Sequence, residues 1–319
     1  MSILESPFSD LQVARKRALA NDIVLFELRH PEGLALPVFT AGAHLTVQTP
    51  AGKRRNYSLC SDPADVYSYQ IAVKRDASGR GGSIAMADQV AEGSLLKVSQ
   101  PRNNFALDPR AQRVLFIAGG IGITPILSMM RFLKRSGTAP FRLIYCTRDA
   151  AHTAFLPELH AEFLSEIQVH HDGGNPAHAL DLWPEFETPG QAQVYCCGPK
   201  GLMDSVADMS GHWPSGSIHF ESFGIVESAL PPNTSFTVRL HQSGDQVPVG
   251  ASQSILEALR ASGHPVASSC ESGTCGTCRT TLLGGEAEHR DMVLLDEEKA
   301  HNIMVCVSRA RSTELVLDL

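Results

Sequence analysis

Four cysteines near the end of the chain have the spacing of iron–sulfur ligands. Cys270, Cys275 and Cys278 follow the pattern C-x4-C-x2-C, and Cys306 comes after a gap of 27 residues. Thiolates at this spacing hold plant-type 2Fe–2S clusters. Zinc is the alternative, although zinc sites commonly combine two Cys-x-x-Cys pairs and this cysteine set contains one. The spacing therefore predicts a centre that accepts one electron at a time.

Two glycines in the same loop are suited to wrapping a chain around a small cluster. Gly273 and Gly276 lie between the cysteines. Glycine adopts positive φ angles without a steric penalty and allows the backbone to approach a ligand closely. Backbone N–H groups in such a loop can then point at the sulfur atoms. A disulfide framework is the weaker interpretation, because the chain is long and shows no secretory signal.

A glycine-rich turn near residue 120 has the features of a phosphate-binding turn. Gly119-Gly120-Ile121-Gly122-Ile123-Thr124-Pro125 follows a continuous apolar run and precedes a helical pattern. We expect Thr124 to cap that helix and Pro125 to occupy its first turn. The N–H groups and the dipole of a helix start favour an anion. The motif is not the GxGxxG dinucleotide fingerprint, so a plain strand–helix turn stays open on this motif alone.

A second group of candidate residues lies nearer the N-terminus and fits a flavin. Tyr57 can contact a flat ring, and Arg55 can grip a phosphate with two nitrogens. Gly81, Gly82 and Ser83 precede a short helical run and form another candidate anion site at a helix start. An isolated arginine or glycine pair is commonly a surface residue or a turn, so each piece is weak by itself.

Composition limits the classes of function. The chain has 319 residues, 43% of them hydrophobic and 19% charged, which is typical of a globular protein with two or three domains. The net charge of −7 argues against a nucleic-acid partner. No apolar run reaches the length of a membrane span, and the first residues lack the pattern of a signal peptide. Together with eight cysteines, these features predict a reducing, cytoplasmic setting without a membrane partner.

Hydrophobic patterns divide the chain into three segments and a linker. Short runs rich in valine, isoleucine, leucine and tyrosine predict an antiparallel β-barrel or a β-sandwich over residues 1–105. Strands alternating with helices predict a parallel α/β sheet over residues 106–225. A proline-containing linker is expected at 226–234. Residues 235–319 then form the cysteine-bearing domain, with a hairpin at Gly244-Asp245 and a capping box, Ser254-x-x-Glu257, at the start of a short helix.

The order of these motifs resembles the ferredoxin-reductase superfamily, and within it the phthalate dioxygenase reductase family. The motifs that carry the resemblance are Arg55-x-Tyr57-Ser58, the Gly119–Pro125 turn, Cys196-Cys197-Gly198-Pro199, the cysteine loop, Ala72-Val73-Lys74-Arg75, His219-Phe220-Glu221-Ser222-Phe223-Gly224 and Met304-Val305-Cys306-Val307-Ser308-Arg309. The resemblance covers nearly the whole chain. It implies a flavin barrel, a ferredoxin-reductase-like nucleotide domain and a β-grasp ferredoxin domain.

The same resemblance implies which residues bind the cofactors. The residues expected to contact FMN are Arg55, Asn56, Tyr57, Ser58, Ala72, Val73, Lys74, Gly81, Gly82 and Ser83. The residues expected to border NADH are Gly120, Thr124, Pro125, Cys197 and Pro199. Phe223 is expected to lie against the flavin ring, with core packing as its alternative role. Ser58, Cys197 and Phe223 are the candidate catalytic residues, and Cys270, Cys275, Cys278 and Cys306 are the candidate iron ligands.

The two kinds of cofactor differ in the number of electrons they carry. NADH delivers two electrons as one hydride, whereas a 2Fe–2S cluster accepts one, so a flavin between them is required to divide the pair. A plant-type cluster, at about −400 mV, can drive a Rieske-type centre at about −150 to +300 mV. We therefore expect electrons to pass from NADH through FMN and the cluster to a terminal Rieske-type oxygenase of aromatic catabolism, such as phthalate dioxygenase.

Several alternatives remain at this level. The partner could be a vanillate demethylase or another oxygenase, and the chain could be a stand-alone flavin reductase or a zinc-stabilised redox-sensing adaptor. FMN is favoured over FAD, since no aromatic platform for an adenosine follows Ser83. For NADH, Asp149 could repel a 2′-phosphate whereas Arg148 could attract one. We expect the chain to act as a monomer.

Overall fold

The computed structural model describes residues 8–77, 79, 81–223, 233–268, 271, 273, 276–291 and 293–319. These residues form two compact units, one ending at Ser222 and one beginning at Phe223. The first unit contains two lobes, which we call the barrel lobe and the α/β lobe. The linker expected at 226–234 lies mostly outside the described residues. No helix in the described part of the chain is long and apolar enough to cross a membrane.

The barrel lobe is an antiparallel sheet that closes on itself. Its elements are β1 (Phe8–Ala20), β2 (Ile23–Arg29), β3 (His44–Gln48), β4 (Arg54–Ser58), β5 (Tyr69–Lys74), α1 (Gly82–Gln89) and β6 (Leu95–Ser99). The strand order is β4-β3-β6-β1-β2-β5. A bridge from Leu59 to Ile71 joins the end of β4 to β5, and Cys60 N donates to Gln70 O at 2.9 Å. These contacts bring the two outer strands together, so the antiparallel barrel is confirmed.

The α/β lobe is a five-stranded parallel sheet. Its elements are β7 (Val114–Gly119), α2 (Ile123–Ser136), β8 (Phe141–Thr147), α3 (Leu156–Phe163), β9 (Ile167–His171), α4 (Trp183–Phe186), β10 (Gln193–Cys197), α5 (Lys200–Met209) and β11 (Ile218–Glu221). The strand order β11-β10-β7-β8-β9 reverses between β7 and β10. In open α/β sheets, ligands bind outside the carboxyl ends of the strands at such a reversal. The Gly119–Pro125 turn and Cys197 lie at this point.

Ion pairs and hydrogen bonds join the two lobes along a seam. Arg131 of α2 donates to Cys60 O at 2.8 Å and to both carboxylate oxygens of Glu162 at 2.9 and 2.6 Å, with 15% of its side chain exposed. Arg17 of β1 pairs with Glu158 of α3. A cleft of about 560 Å³ opens along the seam beside Arg131. Because partners in both lobes satisfy these side chains, the seam holds the lobes in one arrangement.

The second unit is a mixed sheet packed on one helix, as the β-grasp prediction requires. Its elements are β12 (Phe236–Leu240), β13 (Gln246–Val249), α6 (Ile255–Ala261), β14 (Arg279–Gly284), β15 (Ala287–Glu288), β16 (Asn302–Met304), β17 (Arg309–Ala310) and β18 (Glu314–Leu317). The main sheet has the order β13-β12-β18-β14-β16, with β12 and β18 parallel. The hairpin at Gly244 is confirmed by the antiparallel pairing of β12 and β13.

The capping box that opens α6 is also confirmed. Ser254 Oγ accepts from Glu257 N at 3.2 Å, and Glu257 Oε2 accepts from Ser254 N at 2.9 Å. Two N–H groups that the helix itself cannot satisfy are bonded in this way. The apolar face of α6 contributes Ile255, Leu256 and Leu259 to the core of the second unit.

Replacing Ser254 with alanine should destabilise the second unit by about 1 kcal/mol, because it removes the acceptor for Glu257 N. Chemical denaturation followed by the visible absorption of the second unit measures the loss. Ser262 to alanine is the control, since Ser262 lies at the other end of the same helix and its side chain makes no cap. Equal stability of the two variants would contradict the capping role.

Candidate functional site

Strand β4 carries its polar side chains on opposite faces. Arg55 and Tyr57 project from one face, and Asn56 and Ser58 from the other, because successive strand residues alternate. Asn56 accepts from Thr46 Oγ1 at 2.8 Å, which fixes its amide against β3. The prediction that all four residues contact one flavin stays a prediction, and the structure adds that they would reach it from two sides of the strand.

The start of α1 and the side chain of Arg55 lie together. An ideal Cβ built on Gly82 would be 3.2 Å from Arg55 Nε, so the guanidinium packs directly on the first residue of the helix. Gly81 precedes it at φ 85°, and no side chain caps the helix. The first N–H groups of α1 and a cation thus face the same space, which is the donor set that binds a phosphate.

Ser83 and Tyr57 complete this region in different ways. Ser83 Oγ accepts from Asp76 N at 3.2 Å, which ties the helix start to the chain after β5. Tyr57 Oη is buried and makes no hydrogen bond to any residue that the structure describes. Burial raises the pKa of Tyr57, while nearby Arg55 acts in the opposite direction. A buried Tyr57 hydroxyl without a hydrogen-bond partner among the described residues lies near Arg55 and the start of α1. This combination fits a bound group with both polar and aromatic parts, such as FMN.

Residues Ala72, Val73 and Lys74 line the last part of β5. Ala72 and Val73 are buried and Lys74 is exposed. The Val73 side chain belongs to the barrel core, whereas Ala72 belongs to the core shared with the α/β lobe. These buried side chains leave the backbone as the part of the segment that could meet a ligand. Their role in flavin binding stays a prediction.

The turn after β7 packs its backbone against the end of β10. A Cβ on Gly122 would lie 2.1 Å from Cys197 O, and a Cβ on Gly119 would lie 2.5 Å from Pro199 Cδ. Gly198 is similarly confined by Gly119. Only glycine fits at these positions, because a methyl group would need space that neighbouring atoms already fill. The turn therefore brings Gly120, Cys197 and Pro199 to one edge of the sheet, and their contact with NADH stays a prediction.

The helix after this turn begins earlier than the sequence suggested. Helix α2 starts at Ile123 with Gly122 as its N-cap, and no side chain caps it. The prediction that Thr124 caps the helix is wrong, because the turn of Gly120–Gly122 already starts the helix two residues before it. Thr124 Oγ1 instead donates back to Ile121 O at 3.0 Å, and Pro125 lies in the first turn as expected. The N–H groups of the helix start are left without a side-chain cap.

Three side chains meet where the two lobes adjoin. Ser58 Oγ donates to Glu221 Oε2 at 3.3 Å, and Glu221 is the register partner of Cys197 in the pair β10–β11. Burial raises the pKa of Glu221 to about 8, and the hydrogen bond from Ser58 opposes this only in part. Burial also raises the pKa of the Cys197 thiol, with smaller contributions from Glu221 and Cys196. At neutral pH both groups therefore hold their protons.

Glu221 was not among the predicted site residues, although the segment that contains it was noted. A single carboxylate in a short strand has no spacing that sets it apart from a surface residue. The remaining candidate, Phe223, follows β11 by two residues and is 41% exposed. It is the first residue of the second unit, and its position against a flavin ring stays a prediction.

The cysteine site is partly described. Cys278 precedes β14 and Cys306 follows β16, and both are buried. Val305 N donates to Cys278 O at 3.4 Å, so these two strand ends are adjacent. Cys270 and Cys275 lie outside the described residues. Two buried cysteines on neighbouring strand ends are the donor set that a 2Fe–2S cluster needs on one side.

The described parts of the cysteine loop have the backbone that the sequence predicts. Gly273 and Gly276 adopt φ 77° and 79°. A Cβ on Gly273 would lie 2.7 Å from Val307 Cγ2, so the loop packs closely on the residue after Cys306. Glu271 anchors the loop to α6 through Arg260, at 2.8 Å. The residues present therefore fit an iron–sulfur cluster.

Comparisons with known proteins agree with this architecture. Residues 238–311 match the model of the 2Fe-2S iron-sulfur cluster binding domain. The phthalate 4,5-dioxygenase oxygenase reductase subunit of Pseudomonas putida is 56% identical, covering 99% of this chain and 98% of that protein. The phthalate dioxygenase reductase of Burkholderia cepacia has the same identity over the same shares.

A solved structure gives the same result in three dimensions. It is described as phthalate dioxygenase reductase, a modular structure for electron transfer from pyridine nucleotides to 2Fe–2S. The TM-score is 0.91 at 55% sequence identity, and the match covers 98% of both chains. The three-part fold class expected from the sequence is therefore confirmed.

Replacing Gly122 with alanine should weaken NADH binding at least tenfold, because the new methyl group collides with Cys197 O and displaces the turn. FMN content should stay unchanged, since the barrel lobe is untouched. Titration of NADH against the flavin absorbance measures the effect. Gly201 to alanine is the matched control: it lies in α5 with no atom within 4 Å of the added Cβ. Unchanged NADH affinity in the Gly122 variant would contradict a role for this contact.

Glu221 should make the stability of the apoprotein fall as pH rises. Its pKa is raised from 4.5 to about 8 in the folded chain, so between these values the folded chain binds a proton that the unfolded chain has released. Stability is then lost across this window and becomes constant above about pH 8. Glu221→Gln removes the effect.

The melting temperature of the Gln variant, relative to the natural chain, should therefore increase from pH 5 to pH 8 and then level off. Differential scanning fluorimetry across this range provides the measurement. The same substitution at exposed Glu187 is the reference variant. A pH-independent difference at Glu221 would show that its carboxyl is not held protonated.

Proposed function

The chain belongs to the phthalate dioxygenase reductase family, and on that premise we propose that it passes electrons from NADH to the terminal Rieske-type oxygenase of an aromatic-acid pathway. It is an oxidoreductase whose cofactors are FMN, NADH and a 2Fe–2S cluster. FMN accepts a hydride when bound and releases its electrons singly, which links the two-electron donor to the one-electron cluster. We propose residues 1–105 as the FMN domain, 106–225 as the NADH domain, 226–234 as a linker and 235–319 as the ferredoxin domain.

The observation that carries this proposal is the hydrogen bond between Ser58 and Glu221. Ser58 ends the strand that bears the flavin motif, and Glu221 pairs with Cys197 at the nucleotide edge of the α/β sheet. A flavin on β4 and a nicotinamide at Cys197 would therefore be neighbours. Hydride transfer requires this proximity, because the reacting atoms must approach to about 3–3.5 Å.

Each group of site residues has a distinct task in the proposed reaction. Arg55 and the N–H groups of α1 bind the phosphate of FMN, and the open start of α2 faces the phosphates of NADH. Glu221 holds a proton at neutral pH and so adds no negative charge beside the reacting rings. Cys197 fills the space behind the site with an apolar, protonated thiol, which excludes water.

The partner and the setting belong to the same proposal. The high identity to two reductases of phthalate systems favours a phthalate dioxygenase as acceptor over a vanillate demethylase. The match to a 2Fe–2S domain favours an iron–sulfur cluster over the zinc-stabilised adaptor. We propose that the chain acts as a monomer in the cytoplasm, where buried thiols such as Cys60, Cys196 and Cys197 stay reduced.

Reconstitution with purified oxygenases tests the function. The chain is combined with NADH and either phthalate dioxygenase or vanillate demethylase, and product formation per NADH consumed is measured. We expect coupled turnover with the phthalate enzyme at least tenfold above that with the vanillate enzyme. The reverse order would assign the chain to the alternative system, and a chain without iron and inorganic sulfide would refute the reductase function.

Cys278→Ser separates the two halves of the route. Loss of a cluster ligand should abolish electron delivery to cytochrome c and to the oxygenase, whereas reduction of FMN by NADH in a single turnover should keep its rate within about twofold. Cys146→Ser is the control, because Cys146 lies in strand β8 of the first unit and is not one of the four cysteines of the cluster motif. Full delivery to the oxygenase by the Cys278 variant would show that electrons bypass the cluster.

A further inference from the structure

Arg309 is a buried cation in the second unit. Its residue is 4% exposed, and its guanidinium donates to three backbone carbonyls: Gln253 O at 2.7 Å, Thr234 O at 2.9 Å and Gly250 O at 3.0 Å. The guanidinium also lies over the ring of Phe236, at 5.2 Å from the centroid. The groups that contact the guanidinium are therefore neutral: three backbone carbonyls and one aromatic ring.

Within the described residues, Arg309 forms no ion pair. Glu288, the register partner of Arg309 on β15, is bonded to a second arginine: Arg290 Nε donates to Glu288 Oε1 at 2.8 Å. Burial lowers the pKa of Arg309, and the neighbouring Arg290 lowers it further. An arginine stays charged under these conditions, since its ordinary pKa is so high. Glu288 attracts Arg309 electrostatically but is bonded to Arg290, so within the described residues the Arg309 guanidinium is a buried charge with no carboxylate in hydrogen-bond contact.

This charge lies close to the cluster ligands in the chain. Arg309 follows Cys306 by three residues, and Ser308 N donates to Met304 O at 3.0 Å, so the segment between them turns back on itself. Three residues span at most about 10 Å. This bound applies to the Cα atoms; the guanidinium itself bonds Gln253 O, just before α6, and Leu256 N of α6 donates to Val305 O at 2.9 Å, next to Cys306. A buried charge is only weakly screened by solvent, so its field acts on whatever Cys306 ligates.

We propose that Arg309 raises the reduction potential of the 2Fe–2S cluster by stabilising the additional negative charge of its reduced form. This inference rests on the proposed function, since it takes the cysteine set to hold that cluster. The potential of such clusters depends on net charge, hydrogen bonds to sulfur and exposure, and Arg309 acts through the first of these. Arg309 therefore acts on the cluster through its charge and does not ligate iron.

A structural role for Arg309 predicts something different. Its bonds join Thr234, at the start of the unit, to the chain after β13, so the side chain could serve only to hold these segments. In that case its removal would lower stability and cluster content without changing the potential of the clusters that do assemble. The midpoint potential therefore distinguishes the two roles.

Anaerobic redox titration of the purified holoprotein, followed by the EPR signal of the reduced cluster, measures this potential. In Arg309→Met the ratio of reduced to oxidised cluster at a fixed potential should fall about tenfold, which corresponds to about 59 mV for a one-electron couple. Arg309→Lys keeps the charge and should stay near the natural chain. Arg311→Met is the control, because Arg311 is exposed and paired with Glu286.

A Met variant with the midpoint of the natural chain would overturn the proposal, as would a Lys variant that shifts as far as the Met variant. Should Arg309→Met fail to assemble a cluster, Gln253→Glu tests the same idea without removing the arginine. It places a carboxylate on a residue whose backbone already bonds Arg309, and the midpoint should again fall. An unchanged midpoint with full cluster content would refute the charge effect.

The titration also separates this inference from the proposed function. It uses dithionite and needs neither NADH nor an oxygenase. Absence of an EPR-active cluster in the natural chain would overturn the reductase function and this inference with it. A normal cluster whose midpoint potential is the same with and without Arg309 would overturn only this inference.

Discussion

The backbone contact between the turn after β7 and the end of β10 is the constraint on which the first unit depends. Gly119, Gly122 and Gly198 leave no room for a side chain, so the two strand ends lie closer than any other residues would allow. The start of α2 is thereby fixed beside Cys197. Cys197 is in register with Glu221, and Glu221 bonds Ser58 of the barrel. Close packing at the three glycines therefore fixes the position of Cys197, and Cys197 is linked through Glu221 to Ser58 of the flavin motif.

The second unit is organised by electrostatics as much as by packing. Its core is apolar, yet Arg290 and Arg309 are both almost fully buried within it. Removing a guanidinium from water is costly unless hydrogen bonds and charges compensate it. Arg290 is compensated by Glu288 and by Asn233, while Arg309 relies on carbonyls. Arg290 bonds Asn233 and Arg309 bonds Thr234, so the same side chains that carry charge also hold the segment just before β12.

Sequence reasoning succeeded where short-range chemistry decides the structure. The hairpin at Gly244 and the capping box at Ser254 occur where the local pattern places them, because each depends on neighbours within a few residues. The cysteine spacing likewise needs no tertiary information. The three-part fold followed from the order of motifs.

The features that the sequence did not predict have a common physical cause: their polar groups find hydrogen-bond partners in distant parts of the chain. Strand β1 was not foreseen, because Arg15, Lys16 and Arg17 do not read as a strand and two register shifts break its alternation. Lys16 is accommodated by donating to Ala87 O and Val90 O at the end of α1. Glu221 is a similar case, because its pKa is raised only when folding buries the carboxyl beside Ser58. Partners far away in the chain leave no signal in a local pattern.

The position of Arg131 has a mechanical consequence. It lies two turns along α2 from Thr124, about 10 Å, and it bonds the carbonyl of Cys60, two residues beyond Ser58. One short length of helix therefore connects the turn after β7 with the chain just beyond strand β4. A helix is stiff along its axis, so the two ends of this length move together. In the proposed function, this length of helix would limit how far the bound flavin and nicotinamide can move apart.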